Sequence, residues 1–149
     1  MNNNPALLRV KKLHPAAITP KRGSKHASGY DLFACIDGDV PMTISRNPQK
    51  VRTGIAIEIP EGYDVQVRPR SGLSASGVGV TFGTIDSDYR GEIMVTMYVF
   101  GEAPSFQISH GDRIAQMVIS RLADVSIEEA EELSETDRGS GGHGSTGIK

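Results

Sequence analysis

Apolar residues recur at every second position along much of the chain. Ile55, Ile57 and Ile59 alternate with small or polar residues before the turn at 60–62. Alternation, or a continuous apolar run of strand length, also marks residues 65–67, 78–82, 93–100 and 114–119. Because successive side chains of a strand point to opposite faces, this pattern predicts short β-strands. Short strands separated by Gly, Pro, Asn and Asp are typical of an antiparallel sandwich or barrel.

Helix signals are few. Residues 71–76 predict one short helical turn, with Ser71 near its N-terminus. The acidic stretch near the C-terminus favours helix by composition, yet Val125, Ile127 and Leu133 fit a period of two. We therefore expect an exposed strand in that stretch.

The composition changes at residue 137, beyond which glycine and polar residues dominate. So few apolar side chains cannot order a segment by burial. The sequence therefore predicts a globular domain over residues 1–136 and a flexible glycine-rich arm over residues 137–149. The arm is either a disordered terminus or a segment that folds over an anionic ligand, with Arg138 on a phosphate.

Length, charge and cysteine content narrow the function classes. The 149 residues suit one compact domain, and a net charge of −2 offers no basic surface for nucleic acid. We find no apolar stretch that would span a bilayer or form a signal-peptide core. Cys35 is the only cysteine, and in an apolar run it is expected to be a small buried hydrophobe, not a nucleophile. We expect a cytoplasmic protein that binds neither nucleic acid nor membrane.

Residues 69–74 (PRSGLS) offer groups that suit a phosphate. A strand ends at the proline, and Arg70, Ser71 and Gly72 then bring together a guanidinium, a hydroxyl and exposed main-chain N–H groups. The alternative is a capped turn with a solvated arginine, because short Ser-Gly turns are common.

Residues 83–92 (GTIDSDYRGE) carry the candidate catalytic group. An apolar residue precedes Asp86, which places its carboxylate at a strand end beside a partly dry pocket. Such a carboxylate can polarise a water molecule within hydrogen-bond reach. Tyr89 adds a flat apolar face, and Arg90 and Glu92 can pair across a turn. The alternative is a polar turn whose aspartates accept main-chain N–H groups.

Residues 111–116 (GDRIAQ) enter an apolar strand through a turn. We expect Asp112 and Arg113 to form a structural pair that orders this turn. Gln116 needs partners, because burying an unpaired amide is costly. Its amide either bonds neighbouring main chain or donates to a ligand oxygen.

Taken in order, these segments resemble a known family. Five segments resemble the five ordered motifs of the trimeric dUTP diphosphatases (dUTPases), namely residues 28–32, 69–74, 83–92, 111–116 and 138–147. The resemblance implies an all-β fold, a jelly-roll-like distorted β-barrel with one short helix, assembled as a homotrimer with interfacial active sites. It implies Mg²⁺-dependent hydrolysis of dUTP to dUMP and pyrophosphate, which limits uracil in DNA and supplies dUMP for dTMP synthesis.

The resemblance also implies a role for each site residue. Asp86 activates the water that attacks the α-phosphorus, and Tyr89 packs against the deoxyribose, leaving no room for a 2′-hydroxyl. Uracil is read mostly by main-chain groups of a hairpin at residues 80–86, which includes Val80, Thr84 and Ile85, and Met94 lies alongside. The phosphates contact Arg70, Ser71, Gly72 and Gln116. The arm of another subunit closes over the nucleotide through Arg138, His143 and Gly144.

The metal has no direct protein ligand in this picture. Mg²⁺ is held mainly by substrate phosphates and water, as suits a hard cation that keeps part of its hydration shell. The sequence allows two roles for Asp31: it either organises the metal's water shell or acts as a structural acceptor at the subunit interface.

Two positions depart from the family pattern. His143 stands where the usual Phe stacks over uracil, and imidazole offers less apolar area and a charge that changes near neutral pH. We expect slower turnover or weaker arm closure at low pH; a flat pH–rate profile as His143 titrates contradicts this. Val80 stands where some relatives have Asn or Gly, and uracil specificity is expected to survive because main-chain groups read the base.

Two rival functions remain open from the sequence. A dCTP deaminase resembles the same fold, but it needs a general acid/base at the pyrimidine amine, and no such motif is evident. Ammonia released from dCTP, without pyrophosphate from dUTP, identifies that rival. A regulatory binding protein keeps the pocket but acts by docking to a partner, and capture of a partner by a nucleotide-binding Asp86→Ala variant supports it.

Overall fold

The computed structural model describes residues 4–143 and 147. Within these ranges the chain forms eleven strands and one short helix, in the order β1 (Arg9–Lys12), β2 (Gly29–Phe33), β3 (Met42–Ile44), β4 (Gln49–Arg52), β5 (Ile55–Glu58), β6 (Tyr63–Arg68), α1 (Ser71–Ala75), β7 (Val78–Val80), β8 (Gly83–Ile85), β9 (Met94–Val99), β10 (Phe106–Ile108) and β11 (Arg113–Arg121).

The strands form antiparallel sheets. The larger sheet has the order β2-β11-β6-β8, and a second has the order β4-β9-β7. Strand β1 pairs with β5 and β3 with β10, both antiparallel. The predicted all-β, jelly-roll-like fold with one short helix is confirmed.

The period of two in the sequence builds the core. Along β9, Val95, Met97 and Val99 are buried and the residues between them are half-buried. Along β6, Val65 and Val67 are buried in the same way. Each such side chain contributes roughly 1.5–3 kcal/mol when removed from water, so the alternating faces hold the sheets together. The strands predicted from alternation are all present as β5, β6, β7, β9 and β11.

The four-stranded sheet has an apolar and a polar face. Met117 of β11 lies opposite Val67 of β6, and both are buried in the core. One position earlier on β11, Gln116 lies between Arg68 on one side and Asp31 on the other. Cross-strand neighbours share a face and successive residues alternate, so these three polar side chains lie on the face opposite the core.

The expected exposed strand near the C-terminus is absent from the chain described here. Strand β11 ends at Arg121, and residues 122–136 form neither helix nor strand. The prediction is wrong for the single chain because none of the strands formed by the described residues pairs with the segment, and a strand needs such a partner for its main-chain hydrogen bonds. Val125, Ile127 and Leu133 are exposed there, Ile127 by 97%.

Cys35 is buried among apolar residues, as expected from its apolar run. Burial raises the pKa of its thiol above the ordinary value, more than the nearby Arg52 lowers it, so the thiol stays protonated and unreactive at neutral pH. Within the part of the chain that the structure describes, no helix has the length and apolar character needed to cross a membrane.

Candidate active site

Strand β8 and the turn after it, which belong to the segment predicted as the uracil-reading hairpin, line one pocket with a volume of about 300 Å³. We call it the hairpin pocket. It brings together five residues that the sequence nominated, namely Thr84, Ile85, Asp86, Tyr89 and Met94. The rest of its lining consists of Lys50, Val67, Gly83, Glu92 and Ile93. Candidate base-binding, catalytic and sugar-binding groups therefore share one concave surface.

Asp86 lies at the turn that follows β8. Its carbonyl oxygen accepts the main-chain N–H of Tyr89 at 3.0 Å, which closes the turn, while Ile85 before it is buried. The carboxylate is exposed, and none of the described residues donates a side-chain or main-chain hydrogen bond to it. Asp112 shows the contrast, because its Oδ2 accepts the N–H of Ser109 at 2.8 Å. The carboxylate of Asp86 is thus open to solvent and not engaged in capping the turn.

Tyr89 is held at the rim of the hairpin pocket. Its hydroxyl donates to the carbonyl oxygen of Glu92 at 3.0 Å, and the residue is 45% exposed. The ring lies against Gly91, where an added Cβ would overlap the phenol. A residue without a side chain is therefore required at position 91 for this ring position.

Arg90 and Glu92 do not pair with each other, contrary to expectation. Arg90 donates to the carbonyl oxygen of Ser87 at 2.7 Å and lies 3.6 Å from Glu58. Glu92 instead accepts the Nε of Arg52 at 3.2 Å. The prediction is wrong because each side chain has a partner that is distant in the sequence: Glu58 lies in β5 and Arg52 in β4.

The Arg52–Glu92 pair is a contact that the sequence did not reveal. The hydrogen bond from Arg52 to Glu92, together with the negative charge of that carboxylate, raises the pKa of the guanidinium above its ordinary value. Glu92 Oε1 also accepts the main-chain N–H of Gly54 at 2.8 Å. The carboxylate therefore links the end of the 83–92 segment to the β4–β5 connection.

A second pocket, of about 270 Å³, lies at the end of β6 and the start of α1. We call it the arginine pocket. It contains the nominated residues Asp31, Arg70, Ser71, Gly72 and Gln116, and its lining is completed by Gly23, Ser24, Ala27, Gly29 and Arg113.

Two arginines share one carboxylate in the arginine pocket. The Nε of Arg70 lies 3.3 Å from Asp31 Oδ1, and the Nε of Arg113 lies 3.8 Å from Asp31 Oδ2. Arg70 also donates to the carbonyl oxygen of Arg113 at 3.1 Å. Arg70 is thus not a solvated arginine on a capped turn, and α1 has no side-chain cap. One positive charge remains in excess in this pocket.

The expected Asp112–Arg113 pair does not form. Asp112 bonds the main chain of its own turn, and Arg113 reaches across to Asp31 on β2. A register shift between β11 and β2 lies at residues 113–115. Arg113 is therefore a residue of the arginine pocket, and its partner is Asp31 on another strand, not the adjacent Asp112.

Gln116 uses the main-chain alternative of the two that the sequence left open. Its Nε2 donates to the carbonyl oxygen of Pro69 at 2.9 Å. Its Oε1 occupies the space that a Cβ on Gly29 would need. Gln116 therefore holds the 69–74 turn against β11, and Gly29 makes the room for it.

The two pockets do not combine within one chain. They share no lining residue. The nominated catalytic carboxylate and the nominated phosphate-binding groups therefore line separate pockets of the chain.

Several nominated residues lie outside both pockets. Val80 is buried at the end of β7, so only its main chain is available to a ligand. Arg138 donates its Nε to the carbonyl oxygen of Gly141 at 2.8 Å, and His143 is exposed with φ of +44°. Gly144 lies outside the described residues. A His143→Phe variant is the matched control for the pH dependence expected of the arm.

The candidate metal site is sparse in protein ligands. Within residues 4–143 and 147, no group of three or more His, Cys, Asp or Glu side chains is arranged to hold a metal ion. Asp31 is the one acidic side chain among the described residues of the arginine pocket. A metal bound there would depend mainly on the oxygens of its ligand and on water.

Sequence comparisons identify related proteins over nearly the whole chain. A family model described as dUTPase matches residues 16–147. The deoxyuridine 5′-triphosphate nucleotidohydrolase of Syntrophotalea carbinolica is 49% identical over 145 residues, covering 95% of this chain and 97% of the relative. The protein of the same name from Arabidopsis thaliana is 40% identical over 141 residues, covering 94% of this chain and 82% of the relative.

Solved structures share the fold. The dUTPase of Staphylococcus bacteriophage 80alpha in complex with dUPNHPP superposes with a TM-score of 0.83 at 27% identity, covering 95% of this chain and 99% of the other. A variant dUTPase from phage phi11 of S. aureus, described with a coordinated structural Mg(II) ion, has a TM-score of 0.74 at 25% identity. It covers 85% of this chain and 97% of the other.

Proposed function

The chain belongs to the dUTPase family and is a dUTP diphosphatase, and we propose that Asp86 activates the water that cleaves dUTP at a site shared between subunits of a homotrimer. The observation that carries the proposal is the exposed Asp86 carboxylate at the rim of the hairpin pocket. It takes no hydrogen bond within the described chain and is free to accept one from water. A dCTP deaminase has no comparable support, because the matched relatives are dUTP nucleotidohydrolases.

The hairpin pocket suits a pyrimidine nucleoside. Strand β8 is an edge of the four-stranded sheet, so part of its main-chain N–H and C=O groups have no partner strand. Main-chain groups at Thr84 and Ile85 are thereby available to the polar edge of uracil. Tyr89 and Met94 supply apolar surface for the sugar and the base. Tyr89 thus excludes a ribose by occupying the space of its 2′-hydroxyl.

The arginine pocket suits the triphosphate. Phosphoryl transfer depends on positioning and charge neutralisation more than on covalent help from the protein. Arg70 and Arg113 place two guanidinium groups on this surface, and Asp31 offsets one of the two charges. Ser71 and Gly72 add a hydroxyl and main-chain donors beside them. Gln116 acts by fixing the turn that carries these groups.

A divalent cation fits this donor set, and we assign Mg²⁺ to the triphosphate. When bound, the cation neutralises charge on the phosphate oxygens. The pocket offers one carboxylate, Asp31, and that carboxylate already faces Arg70 and Arg113. This favours Asp31 as the residue that holds the two arginines in place, with the metal retained by phosphates and water.

A homotrimer with interfacial sites accounts for two observations. The two pockets share no lining residue, and a site built from the hairpin pocket of one copy and the arginine pocket of another brings both groups of residues to one nucleotide. Large apolar side chains at Leu122, Val125, Ile127 and Leu133 are exposed in the single chain, which indicates a surface that another copy covers. The glycine-rich arm, with Arg138, His143 and Gly144, then closes over a site of another subunit. In this arrangement residues 1–136 form the barrel domain and residues 137–149 the arm.

The decisive test is pyrophosphate release with Mg²⁺ from dUTP, dTTP, dCTP and UTP. We expect cleavage of dUTP with little cleavage of the other three, because the hairpin reads the base and Tyr89 excludes the ribose. Ammonia is measured in parallel for dCTP. Equal cleavage of dUTP and UTP would refute the role of Tyr89, and ammonia release without pyrophosphate would refute the diphosphatase assignment.

A further inference from the structure

We propose that Glu92 is a positioning residue that fixes Tyr89 and thereby sets the selection of deoxyribose over ribose. The inference rests on the proposed role of Tyr89 as the residue that excludes a 2′-hydroxyl. Glu92 lines the hairpin pocket, but its carboxylate is directed to protein groups and not to the turn that carries Asp86. It acts on the substrate through Tyr89.

The carboxylate of Glu92 is held from two sides. Both of its oxygens lie 3.2 Å from the Nε of Arg52, and Oε1 also accepts the N–H of Gly54 at 2.8 Å. Its side chain is only 20% exposed, so these bonds are partly shielded from water. Charge-assisted hydrogen bonds of this kind are stronger than neutral ones, and they fix the direction of the Glu92 side chain.

The main chain next to Glu92 is fixed to the same part of the barrel. The N–H of Ile93 donates to the carbonyl oxygen of Ile55 at 2.9 Å. The buried hydroxyl of Thr53 donates to the carbonyl oxygen of Ile93 at 2.6 Å. Together with the side-chain bonds of Glu92, these contacts attach residues 92–93 to residues 52–55. The carbonyl group of Glu92 therefore has a defined position.

That carbonyl group is the anchor of Tyr89. The phenol hydroxyl donates to it at 3.0 Å, and Gly91 leaves the space in which the ring lies. Tyr89 is otherwise about half exposed, so few other contacts hold its ring in place. A sugar-excluding ring works only if it cannot move aside, and Glu92 supplies that restraint.

Replacing Glu92 with Ala is expected to lower the ratio of kcat/KM for dUTP to kcat/KM for UTP by about tenfold, the scale of discrimination that a small steric difference supports. The loss arises because Gly54 and Arg52 lose their acceptor, so that only the main-chain contacts of Ile93 still restrain the anchor carbonyl. UTP cleavage rises or holds while KM for dUTP increases. A general loss of structure would lower kcat/KM for dUTP and for UTP by the same factor and would leave their ratio unchanged.

Two further variants separate positioning from folding. Glu92→Gln keeps an oxygen for Gly54 and is expected to restore most of the ratio. Asp37→Asn is the matched control, because Asp37 also faces Arg52, at 3.9 Å, but makes no contact with Glu92. It is expected to leave the ratio unchanged. Thermal unfolding of each variant establishes that the comparison is between folded proteins.

A double-mutant cycle tests the route through Tyr89. Tyr89→Phe removes only the hydroxyl that bonds the Glu92 carbonyl, and in that background Glu92→Ala is expected to change the dUTP-to-UTP ratio by less than about twofold. Additive effects of the two substitutions, or an unchanged ratio in Glu92→Ala alone, would overturn the inference. Failure of the unchanged chain to prefer dUTP would instead refute the proposed role of Tyr89.

Discussion

Replacing Asp86 with Asn is expected to lower kcat for dUTP by about 10²–10⁴-fold, while binding of a non-hydrolysable dUTP analogue stays within about twofold. Asn has the shape of Asp but cannot take a proton from the attacking water. The carboxylate makes no hydrogen bond to the described protein, so its loss removes little from the fold. Pyrophosphate release measures turnover, and calorimetric titration with the analogue measures binding.

The same turn offers a control for this substitution. Asp88 is also exposed and lies two residues further on, but it does not line the hairpin pocket. Asp88→Asn changes the charge of the turn by the same amount and is expected to keep turnover within about twofold of the unchanged chain. Normal turnover in Asp86→Asn, or equal losses in the two variants, would show that the general base lies elsewhere.

The sequence predicted those parts of the fold that depend on local pattern. Alternating apolar residues identified β5, β6, β7, β9 and β11 because each strand buries one face, and the period of two records that directly. Strand β8 has three residues and pairs with β6 alone. Its sequence, Gly-Thr-Ile, contains a single large apolar residue and so no alternation to be recognised, and its position depends on the neighbouring strand.

The pocket residues that the sequence missed depend on contacts between distant segments. Glu92 was expected to pair with Arg90, two residues away, but its partner Arg52 comes from β4. Arg113 was expected to pair with its neighbour, but the register of β11 against β2 places it at Asp31. Lys50 enters the hairpin pocket from β4 without any local signal. Residue order indicates which groups carry the chemistry, whereas pairing and register decide what holds those groups.

Replacing Arg70 with Ala is expected to lower kcat/KM for dUTP by about 10²-fold, because one preorganised positive group is lost from the phosphates. Arg70 also bonds Asp31 and the carbonyl of Arg113, so the variant's mass in solution and thermal unfolding are measured first. A protein that assembles normally but turns over slowly shows that the loss is in the site.

Mixing the inactive Arg70→Ala and Asp86→Asn chains tests whether the site is shared. If one subunit supplies the hairpin pocket and its neighbour the arginine pocket, some sites in mixed trimers contain neither lesion. When equal amounts of the two chains assemble at random, a site has an intact hairpin pocket in half of the cases and an intact arginine pocket in half of the cases. About one quarter of the sites therefore have both, and about one quarter of the activity of the unchanged protein returns. The chains are unfolded together and refolded to allow exchange, and pyrophosphate release is measured.

The control for complementation uses two lesions in one pocket. Asp86→Asn and Tyr89→Ala both alter the hairpin pocket, so every site in their mixed trimers carries one of them, and activity is expected to stay at the level of the single variants. A site contained in one chain predicts no recovery in either mixture. Recovery only with Arg70→Ala would therefore show that the hairpin pocket and the arginine pocket of one chain serve different active sites.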